Sequence, residues 1–233
     1  MSETKFPNET LEYRRLRDQL LAAEIENKEA RERIATLRRQ LPLGGRVKED
    51  YVFREGPADL RDNDPGSMFE TRLSSLFAGG RNELIIDHMM FHPDDDEPCP
   101  MCDMWADGYN AIAPHVNDKV TFVLVAKAEI TKLRAWGKSR GWNRIRLLSS
   151  HDNTFNKDYW MEEEDGGQRP GVSVFKKAED GVIYHSYITE MVFAPGHHRG
   201  IDLFTPVWNL LDLLPSGREN WMPSYWYPTL QPE

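Results

Sequence analysis

Cys99 and Cys102 are the only cysteines in a chain of 233 residues, and they stand in the pentapeptide PCPMC at positions 98–102. Three chemistries fit a pair at that spacing. A dithiol can cycle to a disulfide, two thiolates can form part of a metal shell, or two small residues can fill a core. The redox route needs one exposed thiolate that attacks and a second thiol that resolves the mixed disulfide. At a helix N-terminus, unpaired backbone N–H groups and the helix dipole favour a thiolate. Cys99 is then the attacking residue, and Cys102, one turn on, the partly buried resolver. A stabilising staple is a poor reading, because a disulfide across two residues closes too small a loop.

Charge and histidine bear on the same pair. Asp94, Asp95, Asp96 and Glu97 precede it and Asp103 follows it. Their field is expected to raise the thiol pKa and to repel acidic partners, which predicts a reducing rather than an oxidising couple. The metal alternative needs further ligands, since zinc ribbons use two such pairs or added histidines. His88 and His92, of one strand parity and leading towards the cysteines, are its candidates beside Cys99 and Cys102, with copper or zinc as the metal. His197 and His198 follow Pro-Gly in a loop that could overhang the site. No other cofactor is expected, because G-x-G-x-x-G, Walker A, H-E-x-x-H and G-x-S-x-G patterns are all missing.

The elements that would position the pair can be read from periodicity. ELIIDHMMF (83–91) is a compact apolar strand, and CPMCDMWADGYNAIAPHV (99–116) a helix with Pro100 in its first turn. VTFVLVAK (120–127) is unbroken in apolar character, as in a buried parallel strand. EITKLRAWGKSRG (129–141) is a helix ending at glycine, and IRLLSS (145–150) a short extended piece. PGVSVFKK and VIYHSYIT flank an AEDG turn as a hairpin, and IDLFTPVWNLLDLL (201–214) reads as a final helix. Residues 46–80 are irregular up to a short helix and glycine turn in RLSSLFAGGRN (72–82). Alternating strands and helices followed by a hairpin predict an α/β mixed sheet covered on both faces. A strand feeding directly into C-x-x-C is the thioredoxin-like context of that motif.

Two further segments flank this domain, giving 1–45 as helix and linker and 46–233 as the domain with an aromatic tail. Residues 9–40 lack Pro and Gly and carry Leu11, Leu16, Leu20, Leu21, Ile25, Ile34 and Leu37 at roughly helical spacing. Asn8 is a candidate cap and LPLGG ends the helix. The helix either packs by its edge on the domain or reaches a second subunit, so a homodimer is open. The tail WMPSYWYPTLQPE is expected to lie against the surface. Trp105, Trp136 and Trp208 read as core; Trp160, Trp221 and Trp226, in loops, could wall a cleft.

Composition narrows the class. The net charge of −9 argues against nucleic acid and against anionic membrane surfaces. The N-terminus lacks an apolar signal core and no run is long enough to span a bilayer, so the expected compartment is the cytoplasm. In a reducing compartment a lone C-x-x-C is more often catalytic or metal-binding than structural.

The segment SLFAGGRNELIIDHMMFHPDDDEPCPMCDMWAD, with PGVSVFKK, DYVF after the first helix and NLLDLLPSGREN near the end, resembles the DUF899 family of thioredoxin-like proteins, described as predicted dithiol-disulfide oxidoreductases. The likeness runs over most of the chain, and its C-P-x-C-x-x-W-A-D core is specific. SLFAGGRNEL is also similar to a peroxiredoxin turn before the first core strand, which implies a peroxiredoxin-like variant of the thioredoxin fold. RPGVSVF looks like the thioredoxin segment whose proline is cis and faces the cysteines. The resemblance therefore makes Pro170 the cis candidate shaping the substrate groove, with a trans turn proline as the alternative. Asp87 matches the strand position of a buried acid beneath the cysteines, which could take the Cys102 proton; its alternative is a hydrogen-bonded strand residue. The thioredoxin W-C-G-P-C is absent, and no Ser or Thr lies between Pro93 and Cys99 where peroxiredoxins place a peroxide-holding hydroxyl, so a peroxidase is less expected.

Together these readings predict a thiol-disulfide oxidoreductase acting on a protein or small-molecule disulfide, with a thioredoxin or glutathione system as its reductant. The alternatives are the metal-binding protein and a non-catalytic interaction module built on the N-terminal helix.

Overall fold

The computed structural model describes residues 6–77, 79–195 and 198–227. The chain forms two units, Met1–Pro42 and Leu43–Glu233. The first is one helix, α1 (Leu11–Gln40), none of whose residues is buried. Its cap is Thr10, not Asn8: the Thr10 hydroxyl accepts from the Tyr13 N–H at 3.1 Å, and Asn8 sits in the turn before it at φ 61°.

The second unit is built on a seven-stranded sheet. Its strands are β1 (Val52–Glu55), β2 (Phe69–Arg72), β3 (Glu83–Met89), β4 (Thr121–Ala126), β5 (Arg146–Ser149), β6 (Gly171–Lys177) and β7 (Ile183–Ile188), in the spatial order β2-β1-β5-β4-β3-β6-β7. β3, β4 and β5 are parallel, joined by crossovers through α2 (Pro100–Lys119) and α3 (Ile130–Arg140). β6 runs antiparallel to both β3 and β7. This is a thioredoxin-like α/β fold: a central strand feeds the C-x-x-C helix, and an antiparallel hairpin closes the far side of the sheet. β4, buried at every position, is the continuous apolar strand that a two-faced sheet demands.

Each face has its own core. On one, Trp105, Ala106 and Tyr109 of α2 pack with Leu133 of α3 and with Phe122 and Leu124 of β4. On the other, Leu84 and Ile86 of β3 meet Phe53, Leu76 and Phe155. Each large apolar side chain so buried contributes on the order of 1.5–3 kcal/mol. The second face is covered by short pieces, the 3-10 helix Leu73–Phe77 and the single turn α4 (Phe155–Asp158), not by a long helix.

Two stretches depart from the periodicity reading. Residues 46–80 supply β1 and β2, an antiparallel pair added beyond β5 at the sheet edge. At four residues each they are too short to show alternation. The expected helix over 201–214 is instead a 3-10 segment His198–Leu203 and a five-residue helix, α5 (Val207–Leu211). Pro206 separates the two, because its ring denies the backbone hydrogen bond a continuous helix needs. Among the described residues no helix is long and apolar enough to cross a membrane.

Candidate functional site

β3 ends at Met89, and the chain turns through an exposed acidic loop before α2 begins at Pro100. The Cys99 N–H donates to the Met90 carbonyl at 3.0 Å, which pins the cysteine to the end of the strand. Cys99 is the N-cap residue of α2, in extended conformation with φ −62° and ψ 127°. Pro100 at N1 has no N–H to lose there and presets the helical φ. Cys99 makes no geometric side-chain cap hydrogen bond, and the Met101 and Cys102 N–H groups at this helix end act to lower the pKa of its sulfur.

The two thiols are free and differ sharply in setting. Cys99 is half-buried and Cys102 fully buried. The Cys102 thiol donates to the Cys99 sulfur, and this is the largest influence lowering the Cys99 pKa to about 6; burial opposes it, the Cys102 and Met101 N–H groups reinforce it, and Asp103 opposes it weakly. The same bond, with burial, pushes Cys102 well above an ordinary thiol. The acidic neighbour Asp103 raises the Cys99 thiol as expected, but the hydrogen bonds outweigh it and the net shift is downward. Asp94, Asp95, Asp96 and Glu97 are exposed to water, and solvent screens them from the sulfur. A stabilised Cys99 thiolate favours the reduced state and so moves the couple in the oxidising direction.

Beneath the pair lies Asp87, 1% exposed, between Leu124 of β4 and Val172 of β6. Alternation along β3 turns it to the α2 face, where negative charge on it would raise the pKa of Cys102 and of Tyr109 two turns further along α2. Burial pushes its carboxyl well above the usual carboxylate range. Its Oδ1 and the Tyr109 hydroxyl are buried without a hydrogen-bond partner, so the hydrogen-bonded strand residue does not describe this oxygen.

Asp103 is tied into a network that local sequence does not announce. It accepts from Trp136 Nε1 at 2.7 Å and lies 3.1 Å from Arg140 Nε. Burial raises its pKa to about 6 against these two partners. Arg140 also binds Asp107 and the Tyr225 carbonyl, and its guanidinium lies 4.9 Å from the centre of the Trp226 ring. The Tyr225 hydroxyl donates to the Pro98 carbonyl at 2.5 Å. The described part of the aromatic tail, 221–227, thus lies against the domain, as its composition predicts, and Tyr225 holds the residue before Cys99. The i, i+4 spacing of Trp136 and Arg140 on α3 is the one signal that could have suggested a shared partner.

A cleft of about 500 Å³ opens beside Cys99. Met90, His92, Asp95 and Glu97 line one side, and the loop 165–168 lines the other. Pro170 is not among its walls, and no peptide bond among the described residues is cis. The expected cis bond at Arg169–Pro170 is trans. The Arg169 N–H donates to the Met161 carbonyl at 2.9 Å, and Gly171 pairs with His88, so the chain runs extended from one contact to the other. Of the loop tryptophans, Trp160 is stacked under Arg169 at 4.1 Å and lines a separate cleft with Tyr159 and Phe193.

The metal alternative is not supported by the arrangement. His88 neighbours Asp87 in the strand and so points to the opposite face, where it lies 2.8 Å from the Ser173 hydroxyl and stacks on Phe155. Burial lowers its pKa to about 3. His92 lines the cleft with its Nδ1 accepting from the Asp94 N–H. Among the described residues no three His, Cys, Asp or Glu side chains gather in a metal-holding group. His197 lies outside the described residues, as does the His198 side chain.

The profile of the family described as "Bacterial protein of unknown function (DUF899)" matches residues 3–232. The chain belongs to the DUF899 family. No curated protein matches it. Among solved structures, the chain of this DUF899 member is similar to oxidized Prx3 from Vibrio vulnificus, at 18% identity over 64% of this chain and 87% of that one, with a TM-score of 0.40. It is similar also to the reduced 2-Cys peroxiredoxin of Plasmodium vivax, at 14% identity, 62% and 84% coverage and a TM-score of 0.43. A third is peroxidoxin BcpB from Mycobacterium tuberculosis, at 14% identity, 62% and 83% coverage and a TM-score of 0.42.

Proposed function

We propose that the protein is a thiol-disulfide oxidoreductase in which Cys99 attacks and Cys102 resolves. The observation that carries this is the pairing of an accessible thiol, lowered to about 6 at the N-terminus of α2, with a buried thiol that donates to it. The Cys99 thiolate attacks one sulfur of a substrate disulfide; that S–S bond breaks and the first thiol leaves with a proton from solvent. Cys102 then loses its proton and attacks the Cys99 sulfur. The mixed disulfide breaks, the second substrate thiol leaves, and a Cys99–Cys102 disulfide remains. Two electrons pass from the protein to the substrate, and an external dithiol or glutathione system in a reducing compartment returns them.

Asp87, in its ionised form, is the group that takes the Cys102 proton. Burial raises its pKa well above the usual carboxylate range and so brings its proton affinity nearer that of a thiol, which makes the transfer less steeply uphill. Pro170, trans and outside the cleft, bounds the start of β6 and leaves the loop 165–168 to face substrate.

Reduced protein mixed with bis(2-hydroxyethyl) disulfide, followed by mass spectrometry, tests the scheme. The native chain should lose two hydrogens and keep no adduct. Cys102→Ser should retain one mercaptoethanol on Cys99, and Cys99→Ser should do neither. An adduct on Cys102 in the Cys99→Ser chain, at the native rate, reverses the assigned roles.

A further inference from the structure

The cleft beside Cys99 carries a charge that the dithiol chemistry does not require. Asp95 and Glu97 line it from the loop before α2, and Asp165 lines it from the facing loop. No lysine or arginine lines it. Among basic side chains on the neighbouring segments, Arg169 pairs with Glu163 at 2.9 Å, Lys127 with Glu162 at 3.3 Å, and Lys132 donates to the Pro93 carbonyl at 2.7 Å. The His92 Nδ1 lies 3.7 Å from the Asp94 carboxylate. Asp95, Glu97 and Asp165 form no ion pair among the described residues. The thiolate of Cys99 adds a further negative charge to the floor.

The field of these groups is felt in the neighbourhood. Tyr225, whose hydroxyl binds the carbonyl before Cys99, has its phenol pKa raised by burial first and then by Glu97, Cys99, Asp103 and Asp95. The Cys99 sulfur lies deeper and is ruled by its hydrogen bonds. A disulfide docked on that sulfur extends its two arms outwards to the rim, where the carboxylates stand.

On the reading of Cys99 and Cys102 as a working dithiol, we propose that this cleft selects cationic disulfides, those bearing ammonium or guanidinium groups within a few bonds of the sulfur, and disfavours acidic ones such as glutathione disulfide. A cleft lined by one sign of charge concentrates ligands of the opposite sign and raises their encounter rate. Three unpaired carboxylates act on each positive arm as it enters and on each negative arm in the opposite sense.

The test is stopped-flow oxidation of the reduced full chain by three small disulfides at pH 7.5: cystamine (two positive charges), bis(2-hydroxyethyl) disulfide (neutral) and 3,3′-dithiodipropionate (two negative charges). Each rate is divided by that of free 2-mercaptoethanol with the same disulfide, which removes differences in leaving-group reactivity. At low ionic strength the normalised rates should fall from cystamine to the neutral compound to the diacid, spanning about tenfold or more. The span should collapse in about 1 M salt, where the screening length shrinks to about 3 Å. It should collapse likewise at low salt in the variant Asp95→Asn, Glu97→Gln, Asp165→Asn, whose changes are isosteric and at exposed positions. Equal normalised rates, or a faster diacid, overturn the charge selection while leaving the dithiol reading standing. Failure of all three disulfides to oxidise a chain whose thiols are intact overturns both.

Discussion

Replacing Cys102 with alanine should uncouple the Cys99 thiolate from its main support. With a pKa of about 6, Cys99 is roughly 90% thiolate at pH 7, against roughly 3% for an ordinary cysteine. The Cys102 thiol contributes most to that lowering, ahead of the backbone N–H groups of Cys102 and Met101. In Cys102→Ala the donor is gone, while the N–H groups remain. The Cys99 midpoint should therefore climb by more than about one unit, to between about 7 and 9. The assay is the pH dependence of Cys99 alkylation by iodoacetamide, with thiolate absorbance at 240 nm as a second readout. The midpoint decides the matter, and the rate at pH 7 does not. A less acidic thiol is intrinsically more nucleophilic by about threefold per pKa unit, so a smaller thiolate fraction is largely offset by a faster thiolate. Cys102→Ser, whose hydroxyl can still donate, should fall between the native chain and Cys102→Ala. A midpoint that stays near 6 in Cys102→Ala would refute the reasoning and assign the lowering to the helix terminus alone.

Further predictions follow from the same groups. The Cys99–Cys102 couple should have a midpoint potential less negative than the −270 mV or so of thioredoxin, because the thiolate is better stabilised; equilibration with glutathione or dithiothreitol buffers measures it. Burial raises the Asp87 pKa well above its unfolded value of about 3.9, so its contribution to stability is full below about pH 3.9 and is lost as pH rises towards the elevated folded value. Asp87→Asn should accordingly raise Tm at pH 7 relative to the native chain, with the gain vanishing near pH 4, and should slow release of the second thiol in single-turnover quench. Arg140→Ala leaves Asp103 buried without its cation and should cost about 3 kcal/mol in urea unfolding, with detachment of the tail seen as increased hydrogen exchange at residues 221–227. Tyr225→Phe, which removes only the bond to the Pro98 carbonyl, should cost about 1 kcal/mol and increase exchange at the Cys99 amide.

Much of this architecture is legible in one dimension because the signals are local. The apolar run of β4, the Pro100 start of α2 and the glycine end of α3, where Gly141 takes φ 75°, each depend on a few neighbouring residues. Asp87 and His88 show where alternation could have been pressed further. Adjacent residues in a strand face opposite sides, so if Asp87 lies under the C-x-x-C helix, His88 is removed from any site there. The same logic fails for β1 and β2, four residues each, whose membership in the sheet rests on β5, about ninety residues away in the chain.

The sequence by itself determined that a dithiol stands at the junction of a buried parallel strand and a helix, with an acid one strand register beneath it. Those are consequences of residue type, spacing and period, which any chain with this pattern must express. Only the tertiary structure decided the rest. It set the direction of the Cys99 pKa, because the Cys102 hydrogen bond and the backbone N–H groups of Cys102 and Met101 outweigh both desolvation and the neighbouring negative charge. It put the loop 165–168, and not Pro170, across the cleft, because the extended path from Met161 to His88 fixes that segment. It brought Arg140 to Asp103 and Tyr225 to Pro98 across distances of 37 and 127 residues, contacts that come into being only when the helices and the tail close over the sheet.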